Sequence, residues 1–142
     1  MSGAGHGKVW FVEALREIAD LGLLPSDEAP GHAREWVRGL LEDLDAPEDA
    51  RYAVTLVVDE LVTNATLHAA TRMQVTVGRK NGLYRCVVRD ECTDGPYPRI
   101  IETADGYGRG LRVVALLSVS WGVERDSGGT SVWAEIDATG RA

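Results

Sequence analysis

Between Pro47 and Ala69 the chain carries a pattern that suits a helix and no strand. Val54, Val57, Val58, Leu61, Val62 and Ala65 recur at i, i+3, i+4 and i+7, so a helix gathers them into one apolar stripe. A strand would scatter them over both faces. The entrance is marked by Asp45 as N-cap, by Pro47 in the first turn, and by Glu48 and Asp49 at the positive end of the helix dipole. The helix is expected to run to about Ala69. Glu60, Asn64 and His68 are spaced four apart and form a polar ridge beside the stripe. Such a ridge faces either solvent or the lip of a pocket.

The flanking segments supply the rest of a domain. Val9 to Leu15 is apolar, and could be a strand or the start of a helix running through Ala19. Leu21 to Leu24 reads as a short edge strand closed by Pro25. Ala33 to Leu44 reads as a helix, with Ala33, Trp36, Val37, Leu40, Leu41 and Leu44 on one face. Met73, Val75 and Val77 alternate with polar residues as in a half-buried strand. Asn81-Gly82 is a two-residue hairpin signal, and Leu83 to Arg89 is the returning strand, ending at Asp90. Glu91 to Gly110 is a long loop rich in Gly, Pro and Asp. Gly110 to Ser118 is almost wholly apolar and is expected to be a buried helix. Val119, Trp121 and Val123 alternate, Ser127-Gly128-Gly129 is a turn, and Val132, Ala134 and Ile136 alternate in a last strand. The order implies an α+β sandwich, an antiparallel-rich sheet with helices on one face.

The chain has 142 residues, 44% of them apolar, which suits one domain with a sizeable core. No run approaches the length of a membrane span, and no secretory signal is read at the start, so a cytoplasmic setting is expected. The formal charge of −7 argues against nucleic acid as the main partner, because phosphate contacts need clustered Lys and Arg. Cys86 and Cys92 fit no zinc or CxxC spacing.

Four constellations could carry chemistry. A carboxylate and an amide one helical turn apart, Glu60 and Asn64, can serve a metal–phosphate site: the amide oxygen suits Mg²⁺ and the carboxylate can take a proton. The alternative is a solvated helix face. Asp90, at a strand end, could accept from an exocyclic amino group such as that of adenine, or could simply initiate a turn. Gly106-Tyr107-Gly108-Arg109-Gly110-Leu111 leads into an apolar helix, so its backbone N–H groups and Arg109 could receive phosphate. It could equally be a linker with a helix cap. No strand directly precedes these glycines, which excludes a dinucleotide-binding βαβ unit. Gly128-Gly129-Thr130 is fully explained by a hairpin turn, with Thr130 either a strand residue or a pocket hydroxyl.

In this order and spacing the four pieces resemble the GHKL ATPase (Bergerat) fold. Glu60-Leu61-Val62-Thr63-Asn64-Ala65 with His68-Ala69 is similar to its N-box, Asp90 and the following loop to the G1 box, Gly106 to Leu111 to the G2 box, and Gly129-Thr130 to the terminal Gly-Thr element. Within that family the wording is most similar to the small anti-sigma regulatory factors. The resemblance spans roughly residues 20 to 137. It implies a two-layer α/β sandwich with a mixed, mostly antiparallel sheet, residues 1–19 as a partly disordered N-terminal extension, and 20–142 as a single ATP-binding domain. It implies Glu60 as general base and Asn64 as ligand of Mg²⁺. Asp90 would read adenine with Thr130 nearby, and Gly106, Gly108, Arg109, Gly110 and Leu111 would form the phosphate cradle. The implied cofactors are ATP and Mg²⁺, and the implied activity is serine/threonine protein kinase. The implied partners are a sigma factor and an anti-anti-sigma (STAS-type) protein, with a possible homodimer. The G1 box ordinarily has glycine where this chain has Cys92 and Asp94. That departure opens an alternative, a nucleotide-independent protein-binding module. A detached histidine-kinase domain fits less well, because no phosphoacceptor helix pair is present.

Overall fold

The computed structural model describes residues 15–93 and 106–138. Eight elements follow one another: β1 (Leu15–Leu23), α1 (Ala29–Asp43), α2 (Glu48–His68), β2 (Met73–Lys80), β3 (Leu83–Asp90), α3 (Gly106–Leu117), β4 (Ser120–Asp126) and β5 (Gly129–Asp137). The strands form one sheet in the order β1-β2-β3-β5-β4. Every neighbouring pair is antiparallel, where the family resemblance implies a mixed sheet. The reason lies in the connections: β2–β3 and β4–β5 close through tight turns, which only antiparallel neighbours allow.

Helix α2 lies across β2, β3 and β5, with α1 and α3 on its flanks. The stripe read from the sequence is what it buries: Val54, Val57, Val58, Leu61, Val62 and Ala65 are all in the core. Opposite them, Met73, Val75 and Val77 of β2, Tyr84, Cys86 and Val88 of β3, and Val132, Ala134 and Ile136 of β5 face inward at every second position. Each fully buried valine of this layer contributes about 1.5–3 kcal/mol over leaving it in water. The outer face is polar and aromatic. Arg85 pairs with Glu135 at 2.9 Å, and its guanidinium lies 4.5 Å from the Trp133 ring. That ring covers Gly122, where a Cβ would come within 2.9 Å of it.

Several expectations are corrected. From Leu15 onward the segment of uncertain type is strand, so the helix through Ala19 does not form, and Leu21–Leu23 is the end of a longer edge strand. Asp45 does not cap α2, whose N-cap is Pro47 without a side-chain hydrogen bond. Instead Asp45 takes φ 54, with Asp45 N–H donating to the Glu42 carbonyl at 3.0 Å and Ala46 N–H to that of Leu41 at 3.0 Å. This is the Schellman ending of α1, and it leaves Leu44 exposed rather than on the buried face. Helix α3 is not buried throughout: Leu111 and Val114 enter the core, while Leu116 is exposed. The Gly-rich residues 1–7, together with Asp94 and Gly95 of the long loop, lie outside the described residues.

Candidate functional site

The link from α2 to β2 sets the position of the site. His68 ends the helix, and Met73 opens β2. Met73 pairs with Asp90 on β3, and Asp90 pairs with Thr130 on β5. The C-terminal turns of α2 therefore arrive at the end of the sheet that carries Asp90 and Thr130. Asn64 sits four residues before the end of the helix, about 6 Å of rise. The link is tied to the strand it faces: Thr71 Oγ1 donates to the Arg72 carbonyl at 3.1 Å and accepts from Glu91 N–H at 2.9 Å.

Alternation points the Asp90 side chain inward, on the same face as Val88 and Cys86. Asp90 and Thr130 are each only 1% exposed, unusual for a carboxylate and a hydroxyl unless both are hydrogen-bonded. Cys92 links them. Its N–H donates to Asp90 Oδ1 at 2.8 Å, and its carbonyl accepts from Thr130 Oγ1 at 2.7 Å. The first turn after β3 is thus an Asx-type turn closed against β5. Gly129 makes the closure possible, because a Cβ there would run into the Asp90 carbonyl oxygen. A hairpin turn does not explain Gly129 completely, as the sequence suggests; its hydrogen atom is what lets two backbones touch.

Asn64 is buried, 9% exposed, and its Nδ2 has no hydrogen-bond partner. The reading of this ridge position as a solvated face is therefore ruled out. An unpartnered buried amide costs about 1–3 kcal/mol. Helix α2 carries that cost in the turns that arrive at the end of the sheet bearing Asp90 and Thr130. Glu60, one turn earlier, is half-buried. Burial, and secondarily the charge of Asp59, raise its carboxyl above the ordinary glutamate value. Asp59 is itself held by Arg34 of α1, with Nη1 at 3.2 Å from Oδ1. The side chain of His68 lies outside the description.

The glycines of the G2 stretch are in the helix and not in a loop ahead of it. Gly106, Gly108, Arg109 and Gly110 form the first turns of α3, and Leu111 is the first of its side chains to enter the core. The N–H groups that could receive phosphate are therefore those of the helix's own first turn. Thr71 and the backbone of Cys92 were not legible as site residues. A threonine in a short link and a main-chain group give no sequence signal of their own.

The model of the histidine kinase-like ATPase domain matches residues 25–136. The chain belongs to that family. Among solved structures, this ATPase domain is similar to the SiaB–SiaC complex from Pseudomonas aeruginosa, with TM-score 0.64 and 16% identity over 92% of this chain and 95% of that one. It is also similar to the RsbU and RsbW domains of Rv1364c from Mycobacterium tuberculosis, with TM-score 0.63 and 17% identity over 84% of this chain. It spans 32% of that Rv1364c chain. A histidine kinase domain from Erythrobacter litoralis EL346 aligns with TM-score 0.53 and 20% identity over 78% of this chain and 61% of that one. At such identities these likenesses show a shared fold. No curated protein matches the sequence. Among the described residues no helix of this ATPase domain is long and apolar enough to cross a membrane.

Proposed function

We propose that this ATPase domain binds Mg-ATP and acts as an anti-sigma regulatory factor. In this reading it phosphorylates a serine or threonine of an anti-anti-sigma, STAS-type partner and sequesters a sigma factor in the cytoplasm. The observation that carries the reading is the buried, unpartnered Asn64 amide on the helix that ends beside the Asp90–Thr130 pair. The RsbW and SiaB likenesses and the family match support the regulatory class.

The residues present suit the group. Asn64 Oδ1 would hold the cation, and its unpartnered Nδ2 would donate to a phosphate oxygen. Asp90 presents a carboxylate to an exocyclic amino group, and the first turn of α3, with Gly106, Gly108, Arg109, Gly110 and Leu111, receives the phosphates. ATP supplies the γ-phosphoryl group that passes to the hydroxyl oxygen of the partner as the bond to ADP breaks. Glu60 accepts the proton that this hydroxyl loses. Its raised affinity for protons makes the carboxylate a stronger base once ionised, and it predicts a loss of transfer on acidification at a pH above that of an exposed glutamate.

The test is calorimetric titration of Mg-ATP into the wild type, Asn64→Ala and Glu60→Gln, followed by phosphoserine detection on STAS-type proteins. Asn64→Ala should weaken binding. Glu60→Gln should keep binding and lose transfer by about 10²–10⁴-fold. Transfer that survives Glu60→Gln removes Glu60 from the mechanism.

A second reading, a protein-binding module indifferent to nucleotide, rests on Cys92. Its backbone engages both Asp90 Oδ1 and the Thr130 hydroxyl, groups that the first reading assigns to adenine. Sigma-factor capture of equal strength with and without ATP would favour it.

A further inference from the structure

Asn64 and Asp90 stand on different elements, and the span between them is set where helix α2 passes into β2. The helix ends on one carbonyl. Ala65, next to Asn64, accepts from Ala69 N–H at 2.9 Å and from Ala70 N–H at 3.2 Å. Ala70 takes φ 55, a left-handed turn that an alanine holds only where its surroundings fix it. That turn delivers Thr71, half-buried, to the segment after β3. The β2–β3 ladder has its last pair at Met73 and Asp90, so Glu91 N–H lies beyond it. In place of a strand carbonyl, Glu91 N–H finds a side-chain oxygen, Thr71 Oγ1, at 2.9 Å. The same hydroxyl donates to the Arg72 carbonyl at 3.1 Å, which fixes where its lone pairs point. A second contact crosses the same gap, from Arg72 to Glu91, but it is 3.9 Å long between side chains 74% and 61% exposed. Solvent screens such a pair, so it adds little. From Asn64 to Asp90 the route therefore runs through the Ala65 carbonyl, Ala70 N–H, Thr71 Oγ1 and Glu91 N–H. Thr71 supplies its one side chain; the other links are main chain.

We propose that Thr71 is a positioning residue: its hydroxyl holds the α2–β2 link against Glu91 and so sets the span between Asn64 and Asp90. This rests on the Mg-ATP reading of the site, in which the base and the metal-bound phosphates engage the two ends together. Each end keeps its own support without Thr71. Asn64 belongs to a 21-residue helix whose apolar stripe is packed in the core. Asp90 is paired with Met73 and Thr130 and held by Cys92 N–H. What the hydroxyl adds is their relative placement, and a ligand that bridges both ends gains from having it fixed beforehand.

Thr71→Val keeps the shape of the side chain and removes the hydroxyl, whereas Thr71→Ser keeps the hydroxyl. In calorimetric titration of the full-length chain with Mg-ATP, the valine variant should bind about five- to ten-fold more weakly, the loss of one net hydrogen bond. The serine variant should stay within about two-fold of the wild type, because it can make both bonds. Arg72→Gln should also stay within about two-fold, as an exposed pair predicts. Amide hydrogen exchange reads the latch directly. Glu91 N–H should exchange faster in Thr71→Val than in the wild type. Mg-ATP should slow that exchange in the wild type and in Thr71→Ser but not in Thr71→Val, because coupling is reciprocal. A valine variant that binds Mg-ATP as tightly as the wild type overturns the proposal, and so does a serine variant as weak as the valine one. Glu91 exchange in the wild type that Mg-ATP leaves unchanged overturns it without recourse to any variant. A wild type that binds no Mg-ATP removes the reading of the site, and the role of Thr71 with it, so the two failures are told apart.

Discussion

The turn between β2 and β3 and the turn between β4 and β5 are both built on glycine, yet the two glycines serve different ends. Gly82 has φ +80, follows Asn81 at φ 52, and a Cβ on it would meet nothing within 4 Å. It is there for the two left-handed conformations that a tight antiparallel hairpin needs. Gly129 is there for its neighbour across the sheet. A Cβ would strike the Asp90 carbonyl, the backbone of the strand end that opens the candidate site. Between them is Gly128, where a Cβ would meet side chains alone, Arg89 Nη2 at 2.9 Å and Asp126 Oδ1 at 3.5 Å. A sequence writes all three glycines alike. The difference lies in whether the residue answers to its own dihedrals or to a second segment of chain.

That contrast can be broken by experiment. Gly129→Ala should have the largest effect, a loss of about 3 kcal/mol or more in stability, measured by urea unfolding, together with loss of Mg-ATP binding. A variant that folds and binds like the wild type would show that the two backbones can part freely. Gly82→Ala should cost about 1 kcal/mol, the price of a left-handed alanine, and leave nucleotide affinity unchanged. A fall in affinity would mean that the distant hairpin also shapes the site.

The smallest expected effect concerns Asp126, the anchor of the β4–β5 turn. Its Oδ1 accepts from Gly128 N–H at 2.8 Å and Gly129 N–H at 3.1 Å. Arg89, first among the causes, lowers its carboxyl from 3.8 to about 2. A carboxylate with a lowered folded-state value stabilises the fold above its unfolded value and loses that contribution as the pH falls through the folded one. Wild type and Asp126→Asn should therefore differ in urea midpoint near neutrality and converge as the pH drops from about 4 to about 2. A difference that persists at the acid end would point to shape, not charge.

The elements were largely legible because their periods are clean. The α2 stripe, the alternation in β2, β3 and β5, and the Asn81-Gly82 turn each rest on side chains that point where their spacing says. The spacing of helix α3 does not show its faces, because an apolar run broken only by Arg112 offers little polar pattern, and tertiary packing decides that Leu111 and Val114 enter while Leu116 does not. Asp45 was misread because an aspartate near a helix junction suits the start of one helix as well as a left-handed end of the one before. At the site, the types Glu60, Asn64, Asp90 and Thr130 could be named from motif order. That Asn64 is buried without a partner, and that the Cys92 main chain joins Asp90 to Thr130, depend on contacts between distant segments and leave no trace in local composition.

The hydrogen bond from Thr130 to Cys92 spans 38 residues and joins the two hairpins. Each hairpin is a local unit that closes in microseconds, whereas the β3–β5 seam must wait for α3 and β4 to be in place. On a ribosome, Asp90 emerges well before the strand that completes its surroundings. The candidate site is therefore among the last features to assemble, and any ligand that depends on Thr130 would select chains that have finished folding.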